Sequence, residues 1–397
     1  MAAQNSICVL HSLPRWLPRT ATWLHNQLRY LPDSVCNHVA CDSLENLNEF
    51  PVKNLNCLSQ ELKPAEWRRS LYERLHLGFL LDRPYLNHLV RLGQTCGADI
   101  LHSHWGDWAC RDALAARRLG VSHVVTFYGK DVNFLPQHEY WRRQYRRLFA
   151  EVDLILCEGP HMASCLVHLG CAPDKVRVHH LGVEVGKIRF QPRNWLGGPL
   201  RVLLAGSFRE KKGFPDALEA LGRLSKDQPD IEITIIGDAD SDQRSLPEKA
   251  RILAKLEYHG LLTRTRLLGY QPHSVLFKES YKHHIFISPS LTAKDGDTEG
   301  GAPVTLIEMA ATGMPIVSTT HCDIPSVILH GKTGLLAPER DVEGLLEQLH
   351  WLVRHTRQWH EITTAGRSRV ELEFDVVKQA SKLRDLYLSI ELRKRNF

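Results

Sequence analysis

Long apolar runs are missing from this chain of 397 residues. No stretch approaches the roughly 18 apolar residues that mark a membrane-crossing helix, so no bilayer span is expected. No C-x-x-C pair exists among the ten cysteines, which are irregularly spaced, nine of them before residue 172. With no signal-like segment ahead of them, they read as reduced cytosolic thiols, mostly buried. A strong charge of either sign is also lacking. The net charge of +5 permits an anionic ligand or membrane surface without demanding one. Basic residues interleave with aromatics only over 141–149, so a nucleic-acid partner is not expected.

What is present points to an α/β protein. The length suits two domains of about 180 to 200 residues, and a hydrophobic content of 43% can bury a sizeable core in each. Short apolar runs alternate with helical stretches: Ile7–Leu10, Ala98–His104, His123–Phe127, Val152–Cys157 and Val176–His180. That rhythm argues for a parallel sheet covered on both faces. The weakly periodic stretch 184–199 reads as a linker between a first domain, 1–183, and a second, 200–370. The segment 371–397 contains an amphipathic helix long enough to cross back to the first domain.

The richest stretch lies in the second half, from Ser288 through Glu299, Glu308 and Gly313 to Pro315. An apolar strand enters a loop of small and acidic residues. The loop opens a helix from about Pro303 to Ala311, which Gly313 can end in a left-handed turn. Loops of this kind, at the carboxyl end of a strand and before a helix, are where open α/β sheets bind ligands. Glu299 and Glu308 suit hydroxyl groups of a sugar and a ribose, since carboxylates accept hydrogen bonds; a solvated acidic loop is the other reading. A second glycine loop follows Leu200–Ala205. Gly206 permits a tight turn, Gly213 lets the next helix start close to a ligand, and Arg209, Lys211 and Lys212 put cations beside that helix terminus. This makes a diphosphate cradle. A ring or base could lie against the backbone at Gly237 and near Gly269-Tyr270, where two further strands end.

Other candidates are weaker. A loop after a first strand ending at Leu10, carrying Arg15, Arg19 and Thr20, could receive part of a substrate, with Thr20 as a fair N-cap for the helix from Ala21. Trp67 to Asn87 reads as helical. His102 and His104 are expected on opposite faces of their strand, and so to be poor joint metal ligands. The Asp238/Asp240, Asp240/Asp242 and Asp295/Asp297 pairs read as turns, so no metal site is expected. Ser326–Leu336 reads as strand–turn–strand. Trp141, Tyr145 and Leu148 share a helix face, with Arg142, Arg143, Arg146 and Arg147 beside them. That helix packs its aromatics inward and solvates its arginines, or it docks on anionic lipid.

Taken together, these residues resemble glycosyltransferase family 4, retaining enzymes of the GT-B architecture. The likeness covers nearly the whole chain. It is carried by Gly206 through Gly213, Ile236-Gly237, Leu268-Gly269, Glu299 through Pro315 and His330 to Leu336. In the first half it rests on His102-Ser-His104-Trp and on Thr126-Phe-Tyr-Gly-Lys-Asp131. The helix from Thr22 to Leu31 is similar to transferases of colanic acid and related exopolysaccharide pathways.

The resemblance implies two Rossmann-like domains facing across a cleft, the second binding a nucleotide-diphosphate sugar and the first a saccharide or lipid-linked saccharide acceptor. It implies no divalent metal and no resident cofactor. Lys212 and Arg209 would hold the diphosphate, Glu299 the sugar hydroxyls and Glu308 the ribose or the distal phosphate region. Gly206, Ser207, Gly213, Gly237, Tyr270, Gly300, Gly301, Ala302, Pro303 and Val304 would line the donor. His104, Arg15, Thr20, Tyr128 and Asp131 would face the acceptor. Three departures stand out. Ser207 replaces the family's Arg, the extra glycine in Gly300-Gly301 lengthens the Glu299–Glu308 spacing by one, and Tyr128 replaces a common histidine. A non-catalytic nucleotide-sugar-binding partner and an epimerase are the alternatives. A cytoplasmic enzyme, peripheral at the inner face of the membrane if the arginine helix docks there, is the expected setting.

Overall fold

A computed structural model describes residues 6–18, 21–58, 79–228, 230–240 and 243–395. The chain forms two compact units, one of residues 1–182 with 376–397 and one of residues 183–375. The stretch 184–199 therefore belongs to the second unit.

Among the described residues the first unit holds seven strands: β1 (Ile7–Trp16), β2 (Val35–Leu44), β3 (Leu55–Cys57), β4 (Ile100–His104), β5 (Ser122–Thr126), β6 (Leu154–Cys157) and β7 (Val176–Val178). They lie in the order β3-β2-β1-β4-β5-β6-β7, all parallel. The middle strands are buried on both faces, with histidine, serine and threonine among their apolar residues. β1 corrects the sequence reading: it runs to Trp16 rather than stopping at Leu10. Residues 7–13 and 15–16 pair in register with β2, and the long ladder overrides the weak strand character of His11-Ser-Leu-Pro-Arg. Arg15 thus sits on a strand, exposed and ion-paired to Glu45 at 2.6 Å. Thr20 and most of the helix expected from Trp67 lie outside the described residues; the described helix there is Phe79–Cys96.

The helix Val376–Arg395 closes this unit. Leu383, Tyr387 and Ile390 enter the same core as Val9, Leu24 and Leu28. Tyr387 is fully buried, and its hydroxyl lies 2.6 Å from His102 Nδ1. The amphipathic pattern of the last segment is therefore explained by packing.

The second unit holds β8 (Leu200–Ala205), β9 (Ile231–Ile236), β10 (Thr265–Leu267), β11 (Ile285–Ser288), β12 (Ile316–Thr319) and β13 (Leu335–Ala337), ordered β10-β9-β8-β11-β12-β13 and all parallel. The expected strand from Ser326 is not formed. A single helical turn, Ile324–Val327, leads instead to the turn before β13, with Ile324 and Val327 buried. In each sheet the chain order reverses once, at β1/β4 and at β8/β11. Such switch points leave a crevice at the carboxyl ends of the strands.

Replacing Tyr387 with Phe strands the buried His102 Nδ1 without its hydroxyl. The Tyr387→Phe chain should unfold about 1–3 kcal/mol more easily in urea; an unchanged midpoint would show that the contact contributes nothing.

Candidate active site

Three chain segments leave the second sheet around its switch point, and glycine lets them approach. An ideal Cβ on Gly237 would fall 1.8 Å from the Gly206 carbonyl oxygen. One on Gly213, where φ is +64°, would fall 2.0 Å from the Pro289 carbonyl oxygen. No side chain fits at either position. Gly213 also precedes the helix Phe214–Leu224, as the sequence predicts.

The cations of the first loop meet the carboxylates of the second. Lys212 Nζ lies 2.8 Å from Glu299 Oε1 and 3.0 Å from Oε2. Ser290 Oγ donates to Glu299 Oε1 at 2.9 Å. Lys211 Nζ reaches Asp297 Oδ1 at 3.1 Å and the Thr298 carbonyl at 2.8 Å. Arg209 Nη2 reaches Asp297 Oδ2 at 3.2 Å. Burial alone would raise the Glu299 pKa, but the charges of Lys212 and Lys211 and the Lys212 hydrogen bond outweigh it and bring the carboxyl down to about 2. The acidic loop is thus not a solvated surface. Asp295 and Asp238, from the aspartate pairs, are likewise held by cations, Arg244 at 2.7 Å and Lys249 at 2.7 Å.

Sequence reasoning missed the support behind this loop. His321 is fully buried; its Nε2 accepts from the Glu299 backbone N–H at 3.1 Å, and its Nδ1 lies 2.6 Å from Glu339 Oε1. The other Glu339 oxygen accepts from the Thr292 N–H at 2.7 Å. One histidine–glutamate pair therefore fixes both ends of residues 292–299. Only the pattern of a His two residues past β12 was available as a signal, and its partners are distant in sequence.

Gly300, with φ of +77°, Gly301, Ala302 and Pro303 lead into the helix Val304–Thr312, which Gly313 ends in the left-handed conformation as expected. Glu308 is buried on that helix and accepts from His273 Nε2 at 2.8 Å, a partner the sequence did not suggest. That hydrogen bond raises the His273 pKa. Tyr270 is half-exposed, following Gly269, whose carbonyl accepts from the Gly237 N–H at 2.9 Å. Ser207 is partly exposed, and its carbonyl accepts from the Arg209 N–H at 2.8 Å.

In the first unit, one expectation is overturned. His102 and His104 lie on the same face of β4, because side chains two apart on a strand share a face. Their rings stack at 4.4 Å, and both are fully buried beside His11. Their nitrogens are engaged by protein groups. His11 Nε2 lies 3.1 Å from Asn37 Oδ1, an atom that only accepts, so His11 carries its proton there. His11 Nδ1 then accepts from His104 Nε2 at 3.1 Å, and His104 Nδ1 accepts from the Tyr128 hydroxyl at 2.6 Å. Burial lowers the pKa of His11 to about 4 and that of His104 well below its usual range, so both stay neutral. Asp131 is buried and accepts from the N–H groups of Gly106, Tyr128 and Gly129 at 2.8, 3.0 and 2.9 Å. It shapes the turn that presents Tyr128.

Comparison with known proteins bears on the family and the fold. The family described as Glycosyltransferase Family 4 matches residues 21–187, and the family described as Glycosyl transferases group 1 matches residues 199–355. The amylovoran biosynthesis glycosyltransferase AmsK of Erwinia amylovora is 34% identical over 281 residues, covering 70% of this chain and 67% of its own. A glycogen synthase of Mycobacterium tuberculosis is 24% identical over 335 residues, covering 81% of this chain and 76% of its own. Among solved structures, HepE of Anabaena in complex with UDP and glucose superposes with a TM-score of 0.76 at 14% identity, over 96% of this chain and all of that one.

The Glu299 pKa sets a pH signature. A folded value of about 2 lies below the unfolded value near 4.3, so the ionised pair stabilises above pH ~4.3 and that contribution fades as pH falls towards 2. Glu299→Gln should destabilise the chain by roughly 2–3 kcal/mol at pH 7, with the deficit shrinking below pH ~4.3. A deficit independent of pH in denaturant titrations would contradict the pairing.

Proposed function

The chain belongs to glycosyltransferase family 4, and on that premise we propose that it moves a sugar, with retention of configuration, from a nucleotide-diphosphate sugar to a saccharide or lipid-linked saccharide in cell-surface polysaccharide biosynthesis. The observation that carries the proposal is the convergence of Arg209, Lys211 and Lys212 at the β8/β11 switch point, half-buried and ion-paired to Asp297 and Glu299. Similarity to the amylovoran enzyme supports the polysaccharide setting, and the UDP held by HepE supports a nucleotide donor.

In this reading the diphosphate meets Arg209 and Lys212 at the amino end of the helix Phe214–Leu224. Negative charge accumulates on it as the bond to the sugar breaks, so these cations stabilise the transition state more than the ground state. Glu299, displaced from Lys212 as sole counterion, accepts hydrogen bonds from sugar hydroxyls. Glu308 takes the ribose, with His273 holding its carboxylate in place. The acceptor hydroxyl attacks from the face the diphosphate leaves, and the leaving phosphate takes its proton. No metal or resident cofactor has a part in this scheme: the protein's own cations meet the charge.

We further place the enzyme in the cytoplasm, with peripheral contact at the inner face of the membrane through the helix Glu139–Glu151. Tyr145, Leu148 and Phe149 are buried in the core, which leaves Arg142, Arg143, Arg146 and Arg147 outward with Tyr140 exposed. The contact is therefore electrostatic, since the aromatic face points inward, and each arginine near an anionic surface contributes about 1 kcal/mol. Among the described residues no helix is long and apolar enough to cross a membrane.

Two measurements test these readings. Lys212→Ala should cut acceptor-dependent nucleotide release about 10²- to 10³-fold with an unchanged circular dichroism spectrum; full activity would remove the assignment, and isomerised donor without acceptor would favour an epimerase. Pelleting with anionic but not neutral vesicles should be lost when the four arginines become Ala, and equal pelleting of both proteins would end the lipid proposal.

A further inference from the structure

We propose that Cys8, Cys36 and His38 form a binding site for a soft divalent metal ion, with zinc the best chemical fit and Cys96 the neighbouring thiol that would complete the set. The site lies in the first unit, at the amino-terminal ends of β1 and β2. The carboxyl-terminal end of this sheet, where His104 and Tyr128 lie, is the other edge.

Strand register brings the ligands together. Cys8 and Cys36 are direct partners across the parallel β1/β2 ladder. His38 is two residues past Cys36 and so shares its face. Cys8 Sγ, Cys36 Sγ and His38 Nε2 all lie within 4.8 Å of one another, with the last two 3.7 Å apart. A tetrahedral zinc ion, with bonds of about 2.3 Å to sulfur and about 2.0 Å to nitrogen, sets neighbouring donor atoms about 3.5–3.8 Å apart. The three donors therefore need only a small contraction to surround one ion.

The thiol that would supply a fourth donor closes the helix Phe79–Cys96. It belongs to Cys96, after which the chain turns through Gly97, with φ of +63°, towards β4. Cys8 Sγ donates to the Cys96 carbonyl oxygen at 3.3 Å, while Cys96 Sγ donates to the Gly93 carbonyl at 3.6 Å and lies outside the three-donor cluster, so it must turn away from Gly93 to reach an ion. The Asp99 carboxylate accepts from the Cys8 N–H at 2.8 Å and holds this turn against β1. With Cys96 turned in, three thiols and one imidazole on two strands and a helix end would make a Cys₃His set, a common structural zinc combination; otherwise the fourth position is open to solvent. The route for an ion is open, since Cys36 is exposed and His38 and Cys96 are half-buried.

The other histidine cluster makes a useful contrast. His11, His102 and His104 also lie within ligand reach of one another. There each ring already hydrogen-bonds through both nitrogens, to Asn37, Thr126, Tyr128, Tyr387 or a neighbouring His. A metal would have to break several buried hydrogen bonds. At the cysteine cluster it would replace only weak thiol contacts. Binding converts thiols to thiolates, so up to three protons pass to solvent per ion bound, and affinity rises with pH.

The test uses the full chain, reduced, freed of metal by a chelator and titrated with cobalt(II) and zinc(II). We expect one equivalent per chain, with thiolate-to-cobalt charge-transfer absorption and the intense visible bands of a tetrahedral ion, both bleached by zinc. Zinc should raise the thermal midpoint. Cys36→Ser and His38→Ala, both at accessible positions, should each weaken binding by more than the 10- to 100-fold typical of losing an outer-shell partner. The proposal is overturned by sub-stoichiometric cobalt, by octahedral spectra, or by unchanged binding in both variants. It is equally overturned if the reduced chain binds no metal and the oxidised chain carries a Cys8–Cys96 disulfide.

Discussion

The ion pair between Lys212 and Glu299 is the constraint from which the rest of the site follows. It joins two loops that leave adjacent strands, and both partners are largely withdrawn from water. Charges in such a place persist only when paired, because desolvating either alone would be expensive. Asp297 performs the same service for Arg209 and Lys211. The chain thus stores cations at a sheet switch point by surrounding them with carboxylates. Under the proposed function a diphosphate would enter by taking over part of that neutralisation. Binding would then be an exchange of counterions, with the freed carboxylates beside the ligand.

An exchange of this kind needs a loop that keeps its shape when its ion pairs change. His321 provides it. The ring hydrogen-bonds to the Glu299 backbone rather than to its carboxylate, so the side chain can let go of Lys212 without loosening the loop. Glu339 ties the same ring to the loop's other end through Thr292. His273 plays a parallel part for Glu308. Both histidines hold residues that the sequence singles out, His321 by the Glu299 backbone and His273 by the Glu308 carboxylate, yet neither belongs to the motifs that single them out.

That contrast explains what was legible beforehand. Glycine and proline punctuation is local, so Gly206, Gly213, Gly237 and Gly313 could be placed in their turns from the chain alone, and the strand–loop–helix order with them. Long-range partners were not legible. His321 and Glu339 are 18 residues apart, and Lys212 and Glu299 are 87 apart. The reading of Glu299 as a free hydroxyl acceptor missed its lysine for that reason. The end of β1 was missed because a long ladder with β2, rather than residue preference, holds His11 to Trp16 extended. The misplacement of His102 and His104 has no such excuse, since a two-residue period puts both on one face.

The histidines show what the Tyr128 departure means. The series Tyr128, His104, His11, Asn37 ends on an oxygen that can only accept, and this fixes the direction of every hydrogen bond before it. Tyr128 has therefore committed its one proton inward, and its oxygen has only lone-pair capacity left. A histidine at this position could offer a ring N–H, and could also become charged. The tyrosine does neither near neutral pH, because burial raises its pKa further. Asp131 reinforces the arrangement by gripping the Tyr128 and Gly129 amides. Within this unit the group at that turn is a neutral hydrogen-bond acceptor, suited to a hydroxyl and poorly suited to a phosphate. The departure thus changes the kind of contact the turn can make.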